Sequence, residues 1–266
     1  MQQIVEIRAA QEFDLRSAIS EQQFELYYQI QVDNTGRPLG AEALIRWSHP
    51  QRGMISPAQF IPIAEESSLI IDIGYWVVEA ACRQLVQWGK HDFSSELELA
   101  VNVSAKQFSQ PDFVEKVADY ILKYGVNPRR MKLELTEGVV LNNIDNVVAK
   151  MHSLKALGVK LSLDDFGTGY SSLSYLKKLP LDQIKIDQGF VRNITVEQKD
   201  AILVQTIIDL AQNFGFNVIA EGVENKSQLE FLKHHDCMAY QGYLFGKPVP
   251  VEEFEALLKG LNQKSP

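Results

Sequence analysis

The chain has little cysteine, no metal-type spacing of histidine and no surplus of positive charge. Each shortage narrows what it can do. Its two cysteines, Cys82 and Cys237, stand far apart with no ligand spacing, which fits a reduced cytosolic setting. Cys82 falls in a helical run and reads as a small buried hydrophobe. His49, His91, His152, His234 and His235 show no metal spacing and read as surface or core residues. With 26 basic against 34 acidic side chains, the net charge is -8. That argues against nonspecific binding to long nucleic acid, which needs a basic surface. A small anionic ligand stays open, because bound cations can reverse a local field. These 266 residues show no signal-peptide pattern and no apolar run long enough to span a membrane, and no internal repeat or low-complexity stretch stands out. The remaining composition suits a globular chain with a full core, and 266 residues fit two small domains or one barrel.

Alternating apolar patterns are abundant. Strand-like runs fall at Phe24–Ile30, Gly40–Trp47, Leu97–Ser104, Met131–Glu137, Val159–Asp165, Gln183–Gln188, Asn217–Glu221 and Met238–Phe245. Helical periodicity fills Pro57–Leu69, Ile73–Gly89, Pro111–Tyr124, Ile144–Leu157, Ser171–Leu179, Glu197–Phe214, Lys226–His235 and Val251–Leu258. Pro57 and Pro111 suit first helical turns, and Gly89, Gly125, Gly158 and Gly215 sit where C-caps are wanted. Eight strands alternating with helices predict an α/β fold, a closed TIM-like (β/α)8 barrel. Only Gln31–Leu39 separates the first two strands. That is too short for a crossover helix but enough for a hairpin turning at Asn34-Thr35-Gly36, so one strand should run antiparallel. An open doubly wound sheet would collect its polar residues at one or two crevices, whereas here they come from nearly every strand. Ahead of the barrel, Gln2–Gln22 reads as a helix with Ile7, Phe13, Leu15 and Ala18 among charges. The chain thus divides into a linker helix, 1–22, and a barrel domain, 23–262.

Four strands carry polar side chains between apolar neighbours. Asn102 lies between Val101 and Val103, Glu134 between Leu133 and Leu135, and Lys185 between Ile184 and Ile186; Asp164 and Asp165 end a fourth run. Side chains alternate across a strand, and a buried parallel strand should be apolar on both faces. Buried carboxylates are costly unless paired or bound to a metal, so repeating them strand after strand points to a metal-binding active site. Glu42, Asn102, Glu134 and Asp164 fall near the C-terminal ends of four strands, which converge on one mouth of a barrel. Three carboxylates and an amide are hard oxygen ligands suited to Mg²⁺ or Mn²⁺. Asp165 and Glu221 add enough carboxylate for two cations with a shared ligand, an arrangement suited to in-line displacement at phosphorus. Lys185 is placed to orient or deprotonate the attacking water. Arg46, facing the same way as Glu42, is placed to hold a phosphate oxygen. Any one of these residues alone reads more simply as a helix cap or a solvated strand end; the inference rests on their combination. The Gly-rich run Phe166–Leu173 lacks the dinucleotide spacing and the phosphate-loop lysine. Directly after two ligand candidates, it reads as a mobile active-site loop.

Glu42-Ala-Leu44 followed by Ile-Arg46-Trp resembles the signature of the EAL-domain phosphodiesterases, which linearise the bacterial second messenger cyclic di-GMP. Further matches are Asn102-Val-Ser, Glu134-Leu-Thr-Glu137, Asp164-Asp-Phe-Gly-Thr-Gly-Tyr-Ser-Ser-Leu173, Lys185-Ile-Asp187, Ala220-Glu-Gly-Val-Glu224 and Gln241-Gly-Tyr-Leu-Phe-Gly-Lys-Pro248. Seven motifs in order span nearly the whole chain. The resemblance implies a barrel with an antiparallel strand and two Mg²⁺ or Mn²⁺ ions per active site. Glu42, Asn102, Glu134 and Asp164 would hold the first ion. Asp164, Asp165 and Glu221 would serve the second, with a general-base role for Glu221 as the other possibility. Lys185 would position the water, Glu137 would hold the loop after Asp165, and Arg46 would contact phosphate. Gln29, Glu224 and Gln241 would support the substrate site, and the product would be linear 5′-pGpG. A bacterial cytoplasmic setting, a homodimer formed near the Asp164–Leu173 loop, an upstream GGDEF or sensor domain, and no membrane contact by this segment are further expectations. Two departures are visible: Ile30 stands where the family has proline, and Gly138 where serine is common; neither is a ligand candidate. The competing functions are a cyclic di-GMP receptor without turnover and a barrel lyase using Lys185 beside one Mg²⁺. The lyase leaves Asn102 and the second-metal carboxylates unexplained.

Overall fold

The computed structural model describes residues 2–140, 144–167 and 173–262. Helix α1 (Gln2–Ser20) leads into strands β1 (Phe24–Asp33), β2 (Pro38–His49) and β3 (Gly53–Ile55). Next come α2 (Pro57–Glu66), α3 (Ile70–Trp88), β4 (Glu98–Val103), α4 (Ala105–Phe108), α5 (Phe113–Tyr124), β5 (Met131–Thr136), α6 (Glu137–Val140), α7 (Ile144–Leu157) and β6 (Lys160–Phe166). The remainder is α8 (Leu173–Leu176), β7 (Gln183–Ile186), α9 (Gln188–Asn193), α10 (Gln198–Phe214), β8 (Asn217–Ala220), α11 (Lys226–His234), β9 (Ala239–Gln241) and α12 (Val251–Asn262).

Eight strands close in the order β1-β9-β8-β7-β6-β5-β4-β2, and β2 pairs back onto β1. The antiparallel member is β1, which opposes both β2 and β9, while β2 and β4 through β9 run parallel. Its direction is set by the tight hairpin the short connection demanded. The Asp33 carboxylate accepts hydrogen bonds from the backbone N–H of Thr35 and of Arg37, at 2.8 and 3.0 Å. Gly36 takes a φ of 86°, open to glycine at little cost.

Outward-facing apolar residues of the strands, among them Val101, Leu133, Leu135, Ile184 and Ile186, pack with Ile73, Val78, Leu154 and Ile208 of the surrounding helices. Each such fully buried side chain stabilises the fold by about 1.5–3 kcal/mol. This apolar shell pins the outward positions of each strand, and that fixes where the alternate, polar positions must point.

Several elements differ from the sequence expectation. Residues 168–172 of the expected loop, which include the start of the expected helix Ser171–Leu179, lie outside the described residues, as does the side chain of Ile7. Strand β5 stops at Thr136, and Glu137 opens α6, where a carboxylate favours a helix N-terminus. The expected strand Met238–Phe245 shortens to Ala239–Gln241. There the chain turns beneath Val223, so closely that a Cβ at position 242 would lie 2.2 Å from the Val223 carbonyl oxygen. Helix α9 and strand β3 were not anticipated; α9 is capped by Asp187, whose carboxylate accepts from the Gly189 N–H at 2.9 Å. Gly125, Gly158 and Gly215 are left-handed at their helix ends, whereas Gly89 closes α3 at a φ of −62°.

Candidate active site

The inward-facing positions of β2, β4, β5, β6, β7 and β9, with Glu221 just past β8, converge at the mouth of the barrel. Lys185 stands at the centre, with 1% of its side chain exposed. Its ammonium lies 2.6 Å from Glu134 Oε2, 2.7 Å from Glu221 Oε1, 3.2 Å from Asp164 Oδ1 and 3.5 Å from Glu42 Oε2. Four carboxylates thus share one cation, which compensates one of their charges. Burial would lower the lysine pKa, but the four carboxylates outweigh it and hold the ammonium well above its ordinary range.

The carboxylates respond unequally. Burial, with Glu42 and Asp164 nearby, pushes Glu221 up to about 8 despite Lys185. Burial also raises Glu134 well above the usual carboxylate range. Glu42 is buried too, yet Lys185 and hydrogen bonds from Gln241 and Asn102 bring it below that range. Burial and the neighbouring Asp164 and Asp187 raise Asp165 to about 6.

A second layer holds these groups. Asn102 Nδ2 donates to Glu42 Oε1 at 2.6 Å, and Gln241 Nε2 to Glu42 Oε2 at 2.6 Å. Gln241 Nε2 also reaches Gln29 Oε1 at 3.1 Å, and Gln29 Nε2 donates to the Gly246 carbonyl at 3.1 Å. Gln31 completes this amide chain by donating to Gln241 Oε1 at 2.8 Å. It was missed in the sequence, although it shares the inward face of β1 with Gln29. Glu137 does not join the cluster around Lys185; its Oε1 accepts from the Gly167 N–H at 2.8 Å, tying α6 to the chain just after Asp165. Glu224 is exposed at the rim, where its backbone N–H and that of Asn225 donate to the side chain of Gln228, part of the capping box of α11.

Three observations fit this donor set to divalent cations. All the candidate ligands present hard oxygens. Glu134 Oε1 is buried with no hydrogen-bond partner among the described residues. One oxygen each of Asp164, Asp165 and Glu221 lie within 4.8 Å of one another. Asp165 reaches this position with a φ of 53°, a conformation that aspartate tolerates better than most residues and that tends to occur at functional sites.

Above the cluster lies a cavity of about 330 Å³ bordered by Gln29, Arg46, Gln188, Glu224 and Tyr243. Arg46 is half-buried, its guanidinium 5.3 Å from the centre of the Tyr27 ring, and burial lowers its pKa. An apolar cleft of about 290 Å³ opens beside Arg46 and Asn102, walled by Ile61, Ile70 and Ile73. A larger cavity, about 510 Å³, lies at the opposite end of the barrel. Around it Lys132 and Lys160 are tied to Glu98, Asp182 to Lys155 and Arg37 to Asp33, and the carboxylate cluster around Lys185 does not border it, so the chemistry belongs to the smaller cavity at the mouth.

A family profile described as EAL domain matches residues 12–248. The bifunctional diguanylate cyclase/cyclic di-GMP phosphodiesterase MucR of Pseudomonas aeruginosa is 42% identical over 246 residues, 91% of this chain and 36% of that protein. The cyclic di-GMP phosphodiesterase NbdA of the same organism is 40% identical over 260 residues, 95% of this chain and 33% of that protein. The chain thus spans about a third of the length of these curated relatives. A solved structure described as PaMucR phosphodiesterase in complex with c-di-GMP superposes with a TM-score of 0.89 at 41% identity, covering 92% of this chain and 99% of that one.

Proposed function

The chain belongs to the EAL domain family, and on that premise we propose that it is a metal-dependent phosphodiesterase that hydrolyses cyclic di-GMP to linear 5′-pGpG. The observation that carries the proposal is the set of oxygen donors around Lys185, including the unpartnered Glu134 Oε1. Glu42, Asn102, Glu134 and Asp164 would hold one Mg²⁺ or Mn²⁺, and Asp164, Asp165 and Glu221 a second. When bound, the cations acidify the attacking water and neutralise charge gathering on the phosphoryl oxygens. The chain's own groups do the rest. Lys185 keeps the carboxylates at one centre and orients the water. Glu221, grouped with Asp164 and Asp165, is the alternative group to take the water's proton as general base. Arg46 would grip a phosphate oxygen, and the apolar cleft beside it has room for a guanine base. Glu137 would fix the loop after Asp165 through Gly167.

The same reading includes a homodimer; it also includes a place among further domains, since the relatives named above are about three times as long. The test is incubation with cyclic di-GMP and Mg²⁺, with and without EDTA, followed by chromatography for pGpG. Appearance of pGpG that EDTA abolishes is the expected result. Tight binding without turnover in Mg²⁺, or in Mn²⁺ supplied in its place, would replace the enzyme with a receptor, and turnover in EDTA would remove the metals from the mechanism.

A further inference from the structure

We infer that the lumen of the barrel holds an ordered file of water, running from the cavity at the floor to the underside of the Glu134–Lys185 cluster. Its proposed role in turnover rests on the phosphodiesterase reading above; the water file itself does not.

The lumen is a compartment separate from the apolar core. Ala100, Ile219 and Ala239 are buried, yet they fall outside the core cluster that takes up their strand neighbours Leu99, Val101, Val218, Ala220 and Tyr240. A barrel of this type is ordinarily filled by layers of bulky branched side chains. Here the inward positions on β4, β5, β6 and β7 are Glu98, Ala100 and Asn102; Lys132 and Glu134; Lys160, Ser162 and Asp164; and Gln183 and Lys185. Polar groups stand at both ends, with only alanine and serine between them on β4 and β6.

Within that lumen three buried oxygens line up. Glu134 is in register with Ser162, and Ser162 with Gln183, on the adjacent strands β5, β6 and β7. Glu134 Oε1, Ser162 Oγ and Gln183 Oε1 are all buried, and none has a hydrogen-bond partner among the described residues. A metal at the mouth accounts for Glu134 Oε1 and leaves Ser162 and Gln183 without a partner. Buried polar atoms are almost always paired, and where protein offers no partner an internal water with several polar neighbours supplies one. Adjacent strands lie about 4.8 Å apart, so neighbouring side-chain oxygens are within reach of a single bridging water.

The file has a source. The floor cavity, about 510 Å³, is lined by Gln183 itself together with Gln31, Lys132, Ile219 and Ala239, so it reaches into the lumen. Lys132, two residues below Glu134 on the same face, brings an ammonium with three N–H donors to the lower end. Every hydrolysis consumes one water. A substrate seated over the mouth covers the front approach, and the lumen offers a second approach from behind. Ser162 and Gln183 act here as positioning residues.

The experiment compares wild type, Ser162→Val and Ser162→Thr by water-¹⁷O magnetic relaxation dispersion, which counts long-lived internal waters, and by steady-state hydrolysis in Mg²⁺. The valine variant fills the space and deletes the hydroxyl; the threonine variant keeps it. The dispersion amplitude should fall in the valine variant and return in the threonine variant. In parallel, kcat should drop by about tenfold at unchanged KM and recover with threonine. Gln183→Met provides the same comparison if the valine variant does not fold. Full dispersion amplitude in the apolar variants would overturn the water file. Loss of amplitude at unchanged kcat would overturn its part in turnover. A wild-type protein without turnover would instead sink the phosphodiesterase reading, and the dispersion would still decide whether the file exists.

Discussion

Removing the one ammonium at the centre of the cluster makes the sharpest demand on this account. In Lys185→Met a side chain of similar length fills the same space, but the charge shared by Glu42, Glu134, Asp164 and Glu221 is gone. Taking one partner from a buried ion pair typically costs about 3–5 kcal/mol, and Lys185 is 1% exposed, so solvent screens little of it. Against a typical domain stability of about 5–15 kcal/mol, that is a large fraction. The carboxylates will adjust by taking up protons. Lys185 lowers both Glu134 and Glu221, so without it both titrate higher still, and each raised carboxylate binds more protons folded than unfolded. Stability of the variant should therefore fall as pH rises from an ordinary glutamate pKa toward and past the value of about 8 at Glu221. Divalent cations should offset the loss, because they supply the missing positive charge; a ligand at a hundredfold its Kd stabilises by about 2.7 kcal/mol. The assay is urea unfolding of wild type and variant, in EDTA and in saturating Mg²⁺, followed by far-UV circular dichroism. A variant as stable as wild type in EDTA across this pH range would refute the idea that Lys185 neutralises the cluster.

Other perturbations probe separate parts of the molecule. Turnover should require Mg²⁺ or Mn²⁺, and Ca²⁺ should inhibit, because its larger, looser coordination misplaces the water; equal rates in Ca²⁺ and Mg²⁺ would contradict this. Glu137→Ala removes the carboxylate that holds the Gly167 N–H at 2.8 Å, a charge-assisted bond of about 1.5–3 kcal/mol, and should change kcat and KM together. Kinetics identical to wild type would remove its loop-holding role. Glu98→Gln at the floor should cost about 2 kcal/mol near neutral pH in chemical denaturation, since Glu98 holds both Lys132 and Lys160. Burial would raise the Glu98 pKa, but the two lysines bring it below the ordinary value. Its contribution is therefore present above the unfolded pKa and lost as acid carries it through the lower folded one, so the gap between wild type and variant should close in acid. A gap constant with pH would place the effect elsewhere.

The parts of the fold and site legible in the sequence were those written in alternation. Leu133-Glu134-Leu135 and Ile184-Lys185-Ile186 state the two faces of a strand in three residues, and the packing enforces what they state. The single antiparallel strand was legible because a nine-residue connection from Gln31 to Leu39 leaves no room for a helix. What could not be read depends on contacts between segments far apart in the chain. The shortening of β9 follows from the approach of residue 242 to Val223, and no local propensity records it. The place of Glu137 beside the site depends on Gly167, thirty residues away. Gln31 was readable in principle, since it repeats the inward parity of Gln29, but its partner Gln241 is 210 residues distant.

The reversed direction of β1 also decides at which end of the barrel the N-terminal helix lies. A parallel first strand would be entered from the floor. Because β1 descends, it is entered from the mouth, where Phe24 pairs with Trp47 and the Trp47 indole donates to Gln23 Oε1 at 2.9 Å. Helix α1 therefore sits on the rim, packed against α2 and tied through Asp14 to Arg52 on the turn between β2 and β3. Strand β2 is the strand that carries Glu42 and Arg46. The chain leaving α1 thus meets β2 at Trp47, one residue from Arg46, so α1 is continuous with the mouth of the barrel and not with its floor.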